Sequence, residues 1–201
     1  PLLLQGITVA GLLPDSPRYF DTHHTTQDSL DKVNPRELHL GAAAIESCQR
    51  MGWAPQVFHC HDWHAALVPL MLKAVYGWDA LFRETRTVLT IHNLGYQGIF
   101  PSSVLKDLGL VGAEEFLDRE DLARGRFGFL KTGILHADAV TAVSRTYSRE
   151  IQGEELGMGL DPWLRARRGS VTGIVNGIDA QVWSPETDGL IPANYSAADL
   201  S

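Results

Sequence analysis

The chain has 201 residues, 44% of them hydrophobic, enough to bury one substantial core, since a domain of this size removes roughly 70% of its unfolded surface from water. Its net charge of -7, from 24 acidic against 17 basic residues, works against nucleic acid or an anionic membrane as partner, because both attract positive surface. Two cysteines, Cys48 and Cys60, build no disulfide framework and have no metal-type spacing, which fits a reducing, cytoplasmic compartment.

The opening PLLLQGITVAGLLP is apolar but has no basic leader or cleavage site, and it falls short of the about 20 residues that cross a bilayer. It reads as a buried strand with its turn. Pro1 in place of a methionine and the irregular NYSAADLS suggest that both ends are cut. From Pro14 to Pro35 the chain is polar and without period, a surface loop in which His23 and His24 are solvated. Between Glu37 and Met51, Leu38, Ala42, Ile45 and Cys48 recur at helical spacing, and Gly52 suits the helix end. QVFHC (Gln56 to Cys60) reads as a buried strand, with Asp62 placed to cap the run WHAALVPLMLKAVYGW. Pro69 inside that run predicts a kink or a later helix start. A second strand, Thr87 to Ile91, leads into the turn-rich NLGYQGIFPSS. A helix from Phe127 to His136, a strand from Ala139 to Val143, a helix after Ser144 and a strand from Val171 to Val175 complete the series.

Nearly all-apolar strands alternating with helices predict an α/β fold, a Rossmann-like parallel sheet with helices on both faces. In such sheets ligands bind beyond the carboxyl ends of the strands. HDWH, HNLGYQG, Ser144 and NGID each follow one of these strands, so four polar clusters share one rim.

HCHDWH, residues 59 to 64, first suggests a zinc hydrolase. In the H-x-H-x-D-H signature, however, the aspartate directly precedes the last histidine, whereas here Trp63 intervenes. His59 and His64 are equally explained as core or rim histidines. His92 and Asn93, at a strand end before a glycine-containing loop, offer a carbonyl, an imidazole and an amide to one cleft. Asn176-Gly177 is explained by a turn alone, and only its position favours function. No G-x-G-x-x-G, P-loop or G-x-S-x-G pattern is present. Arg165, Arg167 and Arg168 read as a solvated basic face.

Read together, FHCHDWHAALVPLMLK, VLTIHNLGYQGIFP, FLKTGILHADAVTAVSRTYSREI and GIVNGIDAQVWSPETD resemble, in order and spacing, the glycogen and starch synthases. The resemblance runs from about Pro55 to Asp188. It implies the N-terminal half of a GT-B glycosyltransferase, in which two Rossmann-like domains face a cleft. Glucose would pass from ADP-glucose or UDP-glucose to the non-reducing end of an α-1,4-glucan with retention, without metal or cofactor. Carried over by motif, Asp62, His92 and Asn176 would line the donor-glucose end, with Asn93, Tyr96 and Gln97 nearby to bind substrate. The family's K-x-G-G-L-G-D loop and its second, nucleotide-binding domain have no counterpart here, so residues 1–201 read as one domain fragment, inactive alone. Residues 1–36 find no place in the resemblance. The competing readings are a glucan-binding module without chemistry and the zinc hydrolase. Oligomeric state is left open.

Overall fold

The computed structural model describes residues 9–11, 40–167, 169 and 171–199. The expected first helix is α1, Leu40–Arg50, with Ile45 and Cys48 buried and Ala42 half-buried on one side. Gly52 follows it at φ +61, a left-handed stop that glycine adopts without penalty. Leu38, His23, His24 and most of the first 39 residues lie outside the described residues, which retain only the opening strand, β1, Val9–Gly11.

The next strand, β2, is Val57–His61, followed by two helices instead of one: α2, Asp62–Ala65, and α3, Val68–Ala74. Pro69 lies in the first turn of α3, where a missing N–H removes no helix bond, so the later start is the realised option. Strand β3 is Arg86–Ile91. The turn-rich stretch after it contains a short strand, β4, Ile99–Pro101, which pairs antiparallel with β5, Arg126–Gly128. That ribbon takes the first residues of the helix expected from Phe127. Between its strands lie α4, Val104–Asp107, and α5, Arg119–Ala123; after it, α6 runs Phe129–His136.

The remaining elements are β6, Ala139–Ala142; α7, Arg145–Glu150; α8, Asp161–Ala166; and β7, Val171–Gly173. Ser144 caps α7 by accepting the Tyr147 N–H at 2.9 Å. The last strand stops two residues early, and Ile174 and Val175 are exposed.

Among the described residues the main sheet runs β1-β2-β3-β6-β7, every neighbouring pair parallel. Leu89, Thr90 and Ile91 are buried in succession, as are Val140, Thr141 and Ala142. Successive strand side chains point to opposite faces, so both faces are covered there. Helix α6 lies close against α2, because Gly133 has no side chain: a Cβ there would come within 2.7 Å of the Ala66 Cβ. Trp63, Phe100, Phe127 and Phe129 form an aromatic cluster beneath the ribbon, with Phe100 and Phe129 edge to face at 4.9 Å.

Arg167 is not a solvated residue. Half-buried, its guanidinium donates to the carbonyls of Ile134, Leu135, Ala137 and Asp138, closing the C-terminal end of α6. A planar fork with five donors suits this cluster of unpaired helix-end carbonyls. Arg165 does face solvent and pairs with Asp161 at 2.6 Å; the side chain of Arg168 lies outside the described residues. No helix among the described residues is long and apolar enough to cross a membrane.

Candidate functional site

The parallel order sets the carboxyl ends of β2, β3, β6 and β7 side by side, and the expected rim residues sit just beyond them. Asp62 does not cap the helix that follows. The cap position belongs to His61, and Asp62 is the first residue of α2, at φ 52. A non-glycine side chain in this region costs about 1 to 2 kcal/mol, least for Asp and Asn. The turn aims the buried carboxylate sideways, where Oδ1 accepts the backbone N–H of His92 at 2.8 Å and that of Asn93 at 3.4 Å. Asp62, His92 and Asn93 are therefore one unit.

The alternation of β2 sends His59 and His61 to one face, their rings 4.2 Å apart. His61 Nδ1 lies 2.9 Å from His92 Nε2, so one of these imidazoles donates to the other. His59 Nε2 reaches the Thr90 hydroxyl at 2.6 Å, and Thr90 reaches Thr141 at the same distance. Burial, with His59 and His92 nearby, pushes His61 down to about 4. Burial and then His92 lower His59. Among the described residues no three His, Cys, Asp or Glu side chains are arranged to hold a metal ion. Asp62 Oδ1 is engaged by the backbone N–H groups of His92 and Asn93.

The segment after His92 is fastened at each residue. Leu94, buried, donates its N–H to the Tyr147 hydroxyl at 2.8 Å. Asn93 Oδ1 accepts the Gly95 N–H at 2.9 Å, an Asx turn. Gln97 donates from Nε2 to the Met158 carbonyl at 2.9 Å. Gly98, at φ +60, lies so close to Trp63 that a Cβ would come within 2.6 Å of the indole. Tyr147 was not singled out in the sequence. Its signal is its place in the first turn after a strand-end serine, which returns it to the same rim.

Tyr96 and Gln97 face a neighbouring recess of about 650 Å³, lined also by Trp63, Arg126, Lys131 and Trp163. The recess lies between the 95–101 segment, the start of α6 and α8. One wall is an ion cluster. The buried Lys131 Nζ reaches Asp121 at 2.7 Å and Asp118 at 3.1 Å, and Arg126 Nε donates to Asp121 at 2.9 Å. Burial alone would raise Asp118, but the Asp121 N–H and Lys131 hold it below the ordinary carboxyl value. Lys131 also sits 3.8 Å over the Trp163 ring. Nothing in the sequence motifs marked Asp121, Arg126 or Trp163, because the wall is assembled from separate elements.

Asn176 lies three residues beyond β7, exposed, in a segment where Ile178, Val182 and Trp183 are exposed as well. Its place on the rim comes from strand order. It is not joined to the Asp62–His92–Asn93 unit as those three residues are joined to one another.

Residues 5–166 match the family model described as the starch synthase catalytic domain. The match begins at residue 5 and so takes in most of residues 1–36, which the motifs left unplaced. Glycogen synthase of Streptococcus gordonii is 40% identical over 200 residues, all of this chain and 41% of the relative. That of Koribacter versatilis is 42% identical over 195 residues, 93% of this chain and 39% of the relative. The chain thus spans about two fifths of the length of these relatives. Among solved structures, the catalytic domain of Starch Synthase IV from Arabidopsis thaliana, bound to ADP and acarbose, superimposes with a TM-score of 0.71 at 31% identity, over 94% of this chain and 38% of that one.

Proposed function

Since the chain belongs to the starch synthase catalytic domain family, we propose that it forms the acceptor-side half of a GT-B glucosyltransferase. The reaction is transfer of glucose from ADP-glucose or UDP-glucose to the non-reducing end of an α-1,4-glucan, with retention, in the cytoplasm. Neither metal nor cofactor takes part, and neither nucleic acid nor membrane is a partner. The nucleotide half belongs to the length by which the relatives exceed this chain.

The observation that carries this reading is the Asp62 carboxylate gripping the His92 and Asn93 amides at the end of β3. As the bond from glucose to diphosphate opens, positive charge grows at the anomeric carbon and ring oxygen. A fixed carbonyl dipole at His92 stabilises that charge without reorganising, and the imidazole binds a sugar hydroxyl. His61 keeps the His92 ring in place. Asp62 thus acts through the backbone it holds, while Asn93, Tyr96, Gln97 and Asn176 bind substrate around it. On this reading the contribution of the arrangement is electrostatic and positional.

Labelled ADP-glucose and UDP-glucose offered with a glycogen primer test the proposal. The full reading frame that encodes this segment should lengthen the primer from one of the two donors, and the 201-residue chain alone should not. Turnover by the chain alone, or none by the full reading frame, would overturn it.

A further inference from the structure

We propose that His61 is a positioning residue for His92: its Nδ1 accepts the His92 Nε2–H, which fixes His92 in one tautomer and leaves a bare Nδ1 as the ring atom offered to substrate. The use of that ring atom rests on the function proposed above; the tautomer itself does not.

His61 Nδ1 and His92 Nε2 are 2.9 Å apart, with one proton between two neutral rings. Its owner follows from the other two nitrogens. A neutral imidazole carries one N–H and one lone pair. A proton on His61 Nδ1 would therefore leave His61 Nε2 bare, and the accepting His92 Nε2 would force the His92 proton onto Nδ1. Both rings would then hold the tautomer that a free histidine side chain disfavours. With the proton on His92 Nε2, both hold the favoured one. No described residue hydrogen-bonds to His61 Nε2 or His92 Nδ1, so nothing among them opposes this choice.

The surroundings keep His61 neutral and still. Burial, with His59 and His92 nearby, holds it down at about 4, so its lone pair persists through the neutral range. His59 stacks on it, the rings 4.2 Å apart and tilted by 36°. His59 is itself tied across the sheet: its Nε2 reaches the Thr90 hydroxyl, and Thr90 that of Thr141, each at 2.6 Å. His61 thus has a platform on one side and His92 on the other. The two parts of His92 have different holders, Asp62 for the backbone and His61 for the ring. With Nε2 committed to His61, Nδ1 is the nitrogen left for a sugar hydroxyl, which must donate to it.

Imidazole ¹⁵N shifts separate a protonated nitrogen from a bare one and need neither donor nor turnover. In long-range ¹H–¹⁵N spectra of the chain at about pH 8.5, above the ordinary imidazole value, assigned with His61→Asn and His92→Ala, both His61 and His92 should carry their proton on Nε2. His61→Leu keeps bulk but offers no acceptor, and it should move the His92 Nδ1 signal from the bare position toward that of a tautomer mixture. His61→Asn, whose amide oxygen replaces Nδ1 as acceptor, should move it less. In the full reading frame His61→Leu should lower kcat about tenfold, the worth of one hydrogen bond, with little change in KM for the donor, and His61→Asn should recover part of that loss. A His92 proton on Nδ1 in the unaltered chain would overturn the proposal, and this reading stands even where a variant does not fold. So would a His92 pattern or a kcat indifferent to His61→Leu in folded protein. Absence of glucosyl transfer by the full reading frame would remove the proposed function and leave the tautomer result standing.

Discussion

At the residue scale, the proposed function gives the central role to His92, and its test separates transition-state support from simple binding. In the full reading frame His92→Ala keeps the backbone carbonyl and the Asp62 grip but deletes the ring. Losing a hydrogen bond that tightens in the transition state costs on the order of 2 to 4 kcal/mol, so kcat should fall about 30- to 1000-fold with little change in KM for the donor. A raised KM with normal kcat would make His92 a uniform binding residue. The melting temperature should move little, because His92 is exposed and removes no core. The position of His92 was legible in the sequence because the apolar run before it reads as a strand, and β3 ends at Ile91. The role of Asp62 was only half legible. Its proximity to the rim follows from strand order, but the left-handed turn that points it at two amides leaves no residue signature, since Asp is equally at home as a helix cap.

Elements were more readable than their ends. The alternation of apolar strands with helices located every strand of the main sheet, because burial on both faces demands runs such as TVLTI. The β4–β5 ribbon escaped notice: three-residue strands carry too little period to detect, and their pairing joins residues far apart in sequence. Arg167 shows the same limit, for a basic cluster at a helix end cannot reveal that one of its members reaches back to another helix. Its substitution is an element-scale test. Arg167→Lys keeps the charge but replaces the fork with a single ammonium, which cannot serve four carbonyls at once. Hydrogen bonds to a charged group contribute about 1.5 to 3 kcal/mol each when buried, less here because Arg167 is half-exposed. The variant should lose roughly 1 to 2 kcal/mol of stability and lower the urea midpoint without changing the m-value. An unchanged midpoint would mean that water satisfies the end of α6 equally well.

For the whole molecule, three histidines share one pH dependence. Burial is the leading cause of the lowered values of His59, His61 and His136, with His61 taken down to about 4 from an ordinary 6.5. The unfolded chain therefore binds protons that the folded chain refuses. Stability is fully present above the ordinary imidazole value, is lost as pH falls from 6.5 toward 4, and for His61 changes no further below that. Partial exposure screens each contribution, so the sum is modest. Urea midpoints at about pH 7.5 and about pH 5 should show the loss, and His61→Asn should narrow the gap between them; an equal gap would assign the loss to other groups. The all-parallel sheet has a kinetic consequence too. Val57 pairs with Arg86 and Val88 with Ala139, so no two of its strands can meet through a tight turn, and each contact must close a long loop before it is rewarded. A chain wired in this way has a high contact order, and its sheet forms late and slowly, leaving TVLTI and its apolar neighbours open to intermolecular pairing during refolding for longer than a hairpin-built sheet would.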